Sequence, residues 1–253
     1  MSDIYNGFKK GLLIISAILG VALLVGGVLL LNQVDTVLGR NEIEEDLTDE
    51  QQPTEEGQVI VIPELPASDA DGYTIRRQAT DYQIELFELL VRAHDQFYET
   101  ESDEALEEYA SLIARNFVAD FFTLSNKNSR SDVGGLQFFS EDISADFRSQ
   151  AIDEFYLYLN RYIEIFGSDS LPTVSSTEIL RVEFGYRIIE IEDDASELEV
   201  RTIIIDIEWS YEHTTLPYID EFQTRARFTL VEHEESVRIY VIESLESDHG
   251  NNN

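Results

Sequence analysis

The chain has 253 residues with 51 acidic against 17 basic side chains, a formal net charge of -34. A field of this sign repels nucleic-acid phosphates and anionic lipid headgroups, so we expect no direct nucleic-acid binding. The chain has no cysteine, which excludes a disulfide framework and any thiolate metal site. The acidity suits either attraction of a basic partner or divalent cations, or simple solubility, and composition leaves these roles open.

Residues 11–31, GLLIISAILGVALLVGGVLLL, form an uncharged apolar run. At about 1.5 Å per residue its length matches the roughly 30 Å hydrocarbon core of a bilayer, so we predict a single transmembrane helix. Lys9 and Lys10 precede the run, and the next basic residue is Arg40. The positive-inside rule then places residues 1–10 in the cytoplasm and the rest of the chain outside the cell.

A cleaved secretory signal peptide is the alternative for this run. Signal peptides have an apolar region of about 7 to 15 residues and a small-x-small cleavage site. The run here is longer and ends without such a site, so we favour an uncleaved anchor. Two small-xxx-small pairs, Ser16 with Gly20 and Ala22 with Gly26, are candidate packing positions for a second helix. They suit a lipid-facing helix without a partner equally well.

Residues 32–79 are predicted to be a disordered acidic extracellular linker. Residues 41–72 contain eleven Asp or Glu and no Lys or Arg, and like-charge repulsion with few apolar residues argues against a folded core. The exception is Val59 to Ile62, a short apolar run that would suit an edge strand of the domain or of a partner.

Residues 68–72, SDADG, are similar to part of a calcium-binding loop. An EF-hand needs an oxygen ligand at its first position and a bidentate glutamate at its twelfth. Those positions are Ala67 and Gln78. An EF-hand is therefore rejected, and a weak surface cation site stays open.

Two amphipathic helices forming a hairpin are predicted next. The first runs from Thr80 to Tyr98 and begins with a capping box of Thr80 and Gln83, and Ser102 or Asp103 begins the second. We interpret the helical His94 as a core residue rather than a metal ligand, because the four histidines are scattered. The predicted buried residues are Ile84, Phe87, Val91, His94 and Tyr98, then Leu106, Ala110, Ile113, Phe117 and Phe121.

A turn-rich loop, residues 125–135, follows with Lys127 and Arg130. It is either a surface connection or a contact loop, since exposed loops on a rigid scaffold commonly carry binding residues. A third helix is predicted from Ser144 to Phe166, ended by Gly167. Its predicted apolar face is Phe147, Ala151, Phe155, Leu159, Tyr162 and Phe166.

From Val174 the apolar period changes to two, which predicts four long antiparallel strands in meander order. One face is apolar and must be covered by the helices, whereas the other carries charges that can pair across strands. The apolar residues of the first two strands are Leu180, Val182, Phe184, Tyr186, Ile188, Ile203, Ile205, Ile207, Trp209 and Tyr211. The opposite face carries Asp206, Glu208 and four arginines that, with Lys127 and Arg130, are candidate interaction residues: Arg181, Arg187, Arg225 and Arg227.

The expected fold class is α+β, with three helices packed on a curved four-stranded sheet in residues 80–246 and a disordered tail in 247–253. This element order, ending in a strand that contains Val237 to Val241, resembles the cone-shaped fold of nuclear transport factor two and ketosteroid isomerase. A short cytoplasmic tail, one span, a linker and such a domain is also similar to the bitopic scaffold proteins of bacterial conjugation and type IV secretion, including TcpC-like proteins of Gram-positive elements.

The resemblance implies a non-enzymatic assembly module. An exported chain with one span and no cysteine suits the cell membrane of a Gram-positive bacterium. The expected partners of the module are the lipid bilayer through residues 11–31, other membrane or envelope proteins, and further copies of the chain; no cofactor, metal or catalytic residue is implied. One alternative is a ligand-binding or sensing module, with a basic amphiphilic ligand at the cone mouth near Tyr186 and Tyr211. The least favoured alternative is an isomerase- or lyase-type enzyme, because the inward residues of the second strand are apolar and supply no acid or base.

Overall fold

The computed structural model describes residues 72–191, 196–212, 222–232 and 240–247, with the single positions 214, 216 and 219. The predicted transmembrane helix 11–31, the linker up to residue 71 and residues 248–253 of the predicted tail lie outside the described residues. Within the described part of the chain, no helix combines the length and the apolar character needed to cross a membrane.

The described residues form an α+β fold, as predicted, with four α-helices and one four-stranded sheet. The helices are α1 (Asp81–Thr100), α2 (Asp103–Phe122), α3 (Glu141–Asp153) and α4 (Leu159–Phe166). The strands are β1 (Val174–Ile191), β2 (Ser196–Tyr211), β3 (Arg225–Glu232) and β4 (Tyr240–Ser247). Neighbouring strands are antiparallel in the order β1-β2-β3-β4, so the predicted meander is confirmed.

Helix α1 begins as predicted but buries a different face. Thr80 and Gln83 form the capping box, and Ser102 caps α2. Phe87 and His94 are buried as expected, whereas Tyr98 is 41 % exposed. The buried face differs from the predicted one because apolar residues occupy several sides of this helix, and packing against α2 determines which of them are buried. The buried residues of α1 are Gln83, Leu86, Phe87, Leu90, Ala93 and His94.

Helix α2 is the centre of the core. All five of its predicted core residues are buried, together with residues on its other sides. It lies against the sheet, with 4.4 Å between the ring centroids of Phe122 and Trp209 and 5.4 Å between those of Phe117 and Phe228. A helix enclosed on most sides carries apolar residues all round, as this one does.

The predicted third helix is two helices. The chain turns between α3 and α4, where the Tyr156 amide donates to the Ala151 carbonyl at 2.7 Å, a five-residue spacing wider than the helical four. This turn buries the Tyr156 ring completely, and its hydroxyl donates to the Phe121 carbonyl at 2.6 Å. Burial of a large aromatic ring and a satisfied hydroxyl offset the lost helical hydrogen bonds.

Residues 73–79 belong to the folded domain, which corrects the predicted linker of residues 32–79. Tyr73 is 2 % exposed, and its hydroxyl lies 2.9 Å from that of Tyr109. The Nε of Arg76 donates to the Asp120 carboxylate at 2.6 Å. The segment forms neither helix nor strand, so composition and periodicity gave no sign of these long-range contacts.

The apolar face of the sheet is covered only in part. Ile203, Ile205 and Ile207 of β2 are fully buried, as predicted. By contrast, Tyr186 and Ile188 of β1 are 66 % and 61 % exposed, so the expectation that helices cover this whole face is wrong.

The exposed side chains lie beyond the described pairing of β2 with β3. The last described pair between β2 and β3 is Thr202 with Val231, whereas β1 and β2 stay paired as far as Ile191 and Ser196. This part of the β1–β2 ladder, which we call the ribbon, extends about 20 Å beyond the last described β2–β3 pair. A register shift between Ile179 and Arg181 also displaces Leu180, which is 40 % exposed.

Candidate interaction surface

Three large apolar side chains, Phe184, Tyr186 and Ile188, form what we call the ribbon surface. They alternate along β1 and therefore share one face. Phe184 lies directly opposite Ile203, which is fully buried, so this is the face that forms the core elsewhere in the sheet. Contiguous exposed apolar side chains of this size mark interaction sites in soluble domains.

Arg201 connects the ribbon surface to the helical hairpin. It lies directly opposite Tyr186 in the ladder, and its guanidinium carbon is 5.1 Å from the ring centroid of Phe184. Its terminal nitrogen donates to the Asp103 carboxylate at 2.5 Å, and this hydrogen bond raises the pKa of Arg201. Asp103 lies in the first turn of α2, where the helix dipole favours a negative charge. The ribbon surface thus lies beside the α1–α2 joint.

The α1–α2 joint is strongly acidic. Its exposed carboxylates are Glu99, Glu101, Asp103, Glu104, Glu107 and Glu108. A further exposed carboxylate, Glu199, lies opposite Ile188 on the ribbon itself. Carboxylates therefore lie beside the ribbon surface at two places: Glu199 is opposite Ile188, and Asp103 is bonded to Arg201, which is opposite Tyr186.

The outer face of the sheet carries the predicted arginines in paired form. Arg181, Asp206, Arg227 and Glu246 are cross-strand neighbours in one row, which alternates in charge. The Nε and one terminal nitrogen of Arg227 donate to the two oxygens of the Asp206 carboxylate, at 2.7 and 3.0 Å. The hydrogen bond from Arg227 is the main reason why the pKa of Asp206 is lowered. The predicted cross-strand pairing is confirmed for this pair.

The other outer-face arginines also have carboxylate or other partners. Arg187 of β1 reaches Glu243 of β4 at 2.7 Å, so this pair joins the two edge strands. Arg181 pairs with Glu183, and Arg225 is not free either. Because these cations are already partnered, they are weaker candidates for contact with another protein than the ribbon surface.

Lys127, a predicted contact residue, is buried rather than exposed. Its ammonium donates to the Asp120 carbonyl at 2.6 Å and to the Asn126 side-chain oxygen at 3.0 Å. Burial lowers the pKa of Lys127 to about 8, although the Asp120 charge acts in the opposite direction. Arg130 is exposed, so a contact role for this loop stays a prediction that rests on Arg130.

The predicted ligand site at a cone mouth does not form around the two tyrosines named for it. Tyr186 pairs with Arg201, whereas Tyr211 pairs with Val174. The two pairs are separated by about 40 Å along the extended β1 strand. Tyr186 and Tyr211 therefore cannot line one small-molecule site.

A small cleft lies instead beside residues 74–76, between α1, α2 and the 136–138 turn. Its polar groups bond within the protein: Gln137 accepts from the Thr74 amide at 2.8 Å, and Asn116 donates to the Leu86 carbonyl at 3.0 Å. Within the described residues, no group of three or more His, Asp or Glu is arranged to hold a metal ion. The residues lining the cleft are Thr74, Ile75, Arg76, Gln83, Phe87, Asn116, Asp120, Gln137 and Phe138.

Sequence reasoning missed the ribbon surface. The alternating pattern identifies the apolar positions of the first two strands, which the structure extends to 18 and 16 residues. Alternation determines on which face of a strand a side chain lies, but not whether another element covers that face. Comparison of the chain with protein-family models, with curated proteins and with solved structures found no match.

Proposed function

We propose that this protein is a non-enzymatic, single-pass membrane protein whose extracellular domain binds other envelope proteins and acts as an assembly or scaffold module. The ribbon surface is the observation that carries the proposal. Full burial of a large apolar side chain contributes about 1.5–3 kcal/mol, and Tyr186 and Ile188 are mostly exposed in the isolated domain. A complex in which a partner buries both side chains is stabilised by this amount at each position.

The predicted architecture agrees with a scaffold role. A span at residues 11–31 would place the domain at the cell membrane, and the acidic segment after it would hold the domain away from the bilayer. A conjugation or secretion machine of a bacterial envelope is the proposed setting, and the likeness to the nuclear transport factor two cone and to TcpC-like proteins is part of the proposal.

The inner face of the sheet supports a non-enzymatic role. The inward residues of β2, including Ile205 and Trp209, are buried against the core and supply no proton donor or acceptor of the kind an isomerase needs. Ligand binding or sensing stays the alternative function, and the cleft beside Arg76 and Asp120 is the observation that favours it. An enzyme of the same fold stays the least favoured alternative.

Site-specific photo-crosslinking in intact cells tests the proposal. A photoreactive amino acid replaces Tyr186 or Ile188 in the full-length protein, and a control carries it at the exposed Glu88 of α1. We expect crosslinks to an envelope protein or to a second copy from the two ribbon positions and not from Glu88. If the ribbon positions give no crosslink, or only the pattern seen from Glu88, the scaffold proposal is overturned.

A further inference from the structure

We infer that the partner bound at the ribbon surface is a second protein that presents a basic amphipathic segment, with apolar side chains beside Lys or Arg. This inference rests on the proposed function and adds the chemistry of the partner. Two features of the described residues carry it: exposed apolar side chains, and carboxylates at two places beside them.

The positions of these carboxylates are fixed by contacts. The ion pair between Arg201 and Asp103 holds the acidic α1–α2 joint against the strand that pairs with Tyr186. Glu199 lies opposite Ile188 in the ladder. A segment that covers the apolar side chains therefore comes close to carboxylates at two places along the ribbon surface.

Charge complementarity selects among the occupants of such a surface. A second copy brings the same acidic joint and the same chain charge of -34, so like charges oppose its approach. An anionic lipid headgroup is repelled for the same reason. A basic segment is attracted instead. In such contacts, charge complementarity determines the association rate and the choice of partner, whereas burial of apolar surface stabilises the complex.

A pair of designed peptides tests this partner chemistry. The first is an amphipathic helix of leucine and lysine, and the second has glutamate at every lysine position. Binding of each fluorescent peptide to the full-length protein, held in nanodiscs of phosphatidylcholine, is followed by anisotropy, and empty nanodiscs supply the background. We expect the lysine peptide to bind and the glutamate peptide not to bind.

Three paired substitutions locate the binding. Tyr186→Ser with Ile188→Ser removes apolar contact, and we expect the Kd of the lysine peptide to rise about tenfold or more. Glu104→Gln with Glu107→Gln removes two of the six negative charges of the joint, and we expect a rise of about threefold. Glu85→Gln with Glu88→Gln makes the same charge change in the first half of α1, and we expect the Kd to stay unchanged. Circular dichroism of each variant confirms the fold.

Each contrary result overturns the inference. Equal effects of the two Glu→Gln pairs mean general attraction to an acidic protein, and no effect of the Tyr186 and Ile188 changes places the binding elsewhere. Equal binding of both peptides shows that binding does not require a basic segment.

A dimer that light scattering detects, and that the Tyr186 and Ile188 changes dissociate, identifies a second copy as the occupant. In that last case the scaffold function survives, whereas absence of ribbon crosslinks in cells overturns the function itself.

Discussion

The ammonium of Lys127 lies 2.6 Å from the backbone carbonyl oxygen of Asp120, in the last turn of α2. A helix leaves its final carbonyls without amide partners, and here the amides of Leu124 and Ser125 donate to the Pro172 carbonyl instead. Side-chain donors take the place of these amides at the last carbonyls of α2. Lys127 caps Asp120, and the Tyr156 hydroxyl caps Phe121, so the end of the central helix is held by residues from two later segments.

Tyr156→Phe tests this capping. The substitution keeps the ring and leaves the Phe121 carbonyl without its buried donor, so we expect a loss of about 1–2 kcal/mol in the free energy of unfolding. Urea denaturation measures it. Tyr158→Phe, two residues away, removes a hydroxyl that does not cap α2 and is the control. Equal losses in the two variants would show that the Tyr156 hydrogen bond has no special weight.

The buried Lys127 predicts a pH dependence of stability. Its pKa is about 8 in the folded protein against an ordinary 10.5, so between these pH values the unfolded chain binds more protons. The free energy of unfolding must then rise with pH in this window, by about 3 kcal/mol over its full width. Burial of the charged form is the cause.

Denaturation of the wild type and of Lys127→Met from pH 7.5 to 9.5 measures this effect. The variant lacks the titrating amine while other groups titrate in both proteins, so we expect the wild type to gain stability relative to the variant as pH rises. A constant difference across the range contradicts a lowered pKa of Lys127.

Gly134 lies against the same helix end. A Cβ there would be 2.3 Å from the carbonyl oxygen of Asp120, so Gly134→Ala must displace the acceptor of Lys127. We expect a loss of about 2–4 kcal/mol, or failure to fold. In Gly185→Ala the added Cβ meets only the Thr202 hydroxyl, at 3.1 Å, and we expect a change below about 1 kcal/mol. Thermal denaturation compares them, and similar losses would argue against the close approach at Gly134.

The Asp206–Arg227 pair predicts a coupling on the outer face of the sheet. Because two charge-assisted hydrogen bonds join the side chains, we expect Asp206→Asn to cost about 1–2 kcal/mol. A double-mutant cycle with Arg227→Gln should recover a positive coupling energy, and a coupling near zero would contradict the prediction.

The lowered pKa of Asp206 sets the pH range of this stabilisation. An acid with a folded pKa below its ordinary 3.8 contributes stability that is present above that value and lost as pH falls through the folded pKa. Denaturation of the wild type and Asp206→Asn from pH 6 to 3 should show the difference shrinking at the acid end. A difference that does not change with pH would assign the effect to side-chain contact rather than charge.

Local signals in the sequence were sufficient for the parts of the fold that depend on near neighbours. The capping box of Thr80 and Gln83, the buried stripe of α2 and the alternation of β2 follow from side-chain periodicity and short-range hydrogen bonds. Alternation also placed Asp206 and Arg227 on the same face of a meander, whereas their direct pairing depends on the strand register.

Only the tertiary structure decided the remaining features, because each depends on residues distant in the chain. The α3–α4 break forms because Tyr156 reaches the end of α2, and Lys127 is buried because α2 leaves a carbonyl there for it to cap. The periodicity that placed Tyr186 and Ile188 on an apolar face was right, but whether a face is covered depends on where neighbouring elements end. Tertiary structure thus turned two predicted core positions into the exposed surface on which the proposed function rests.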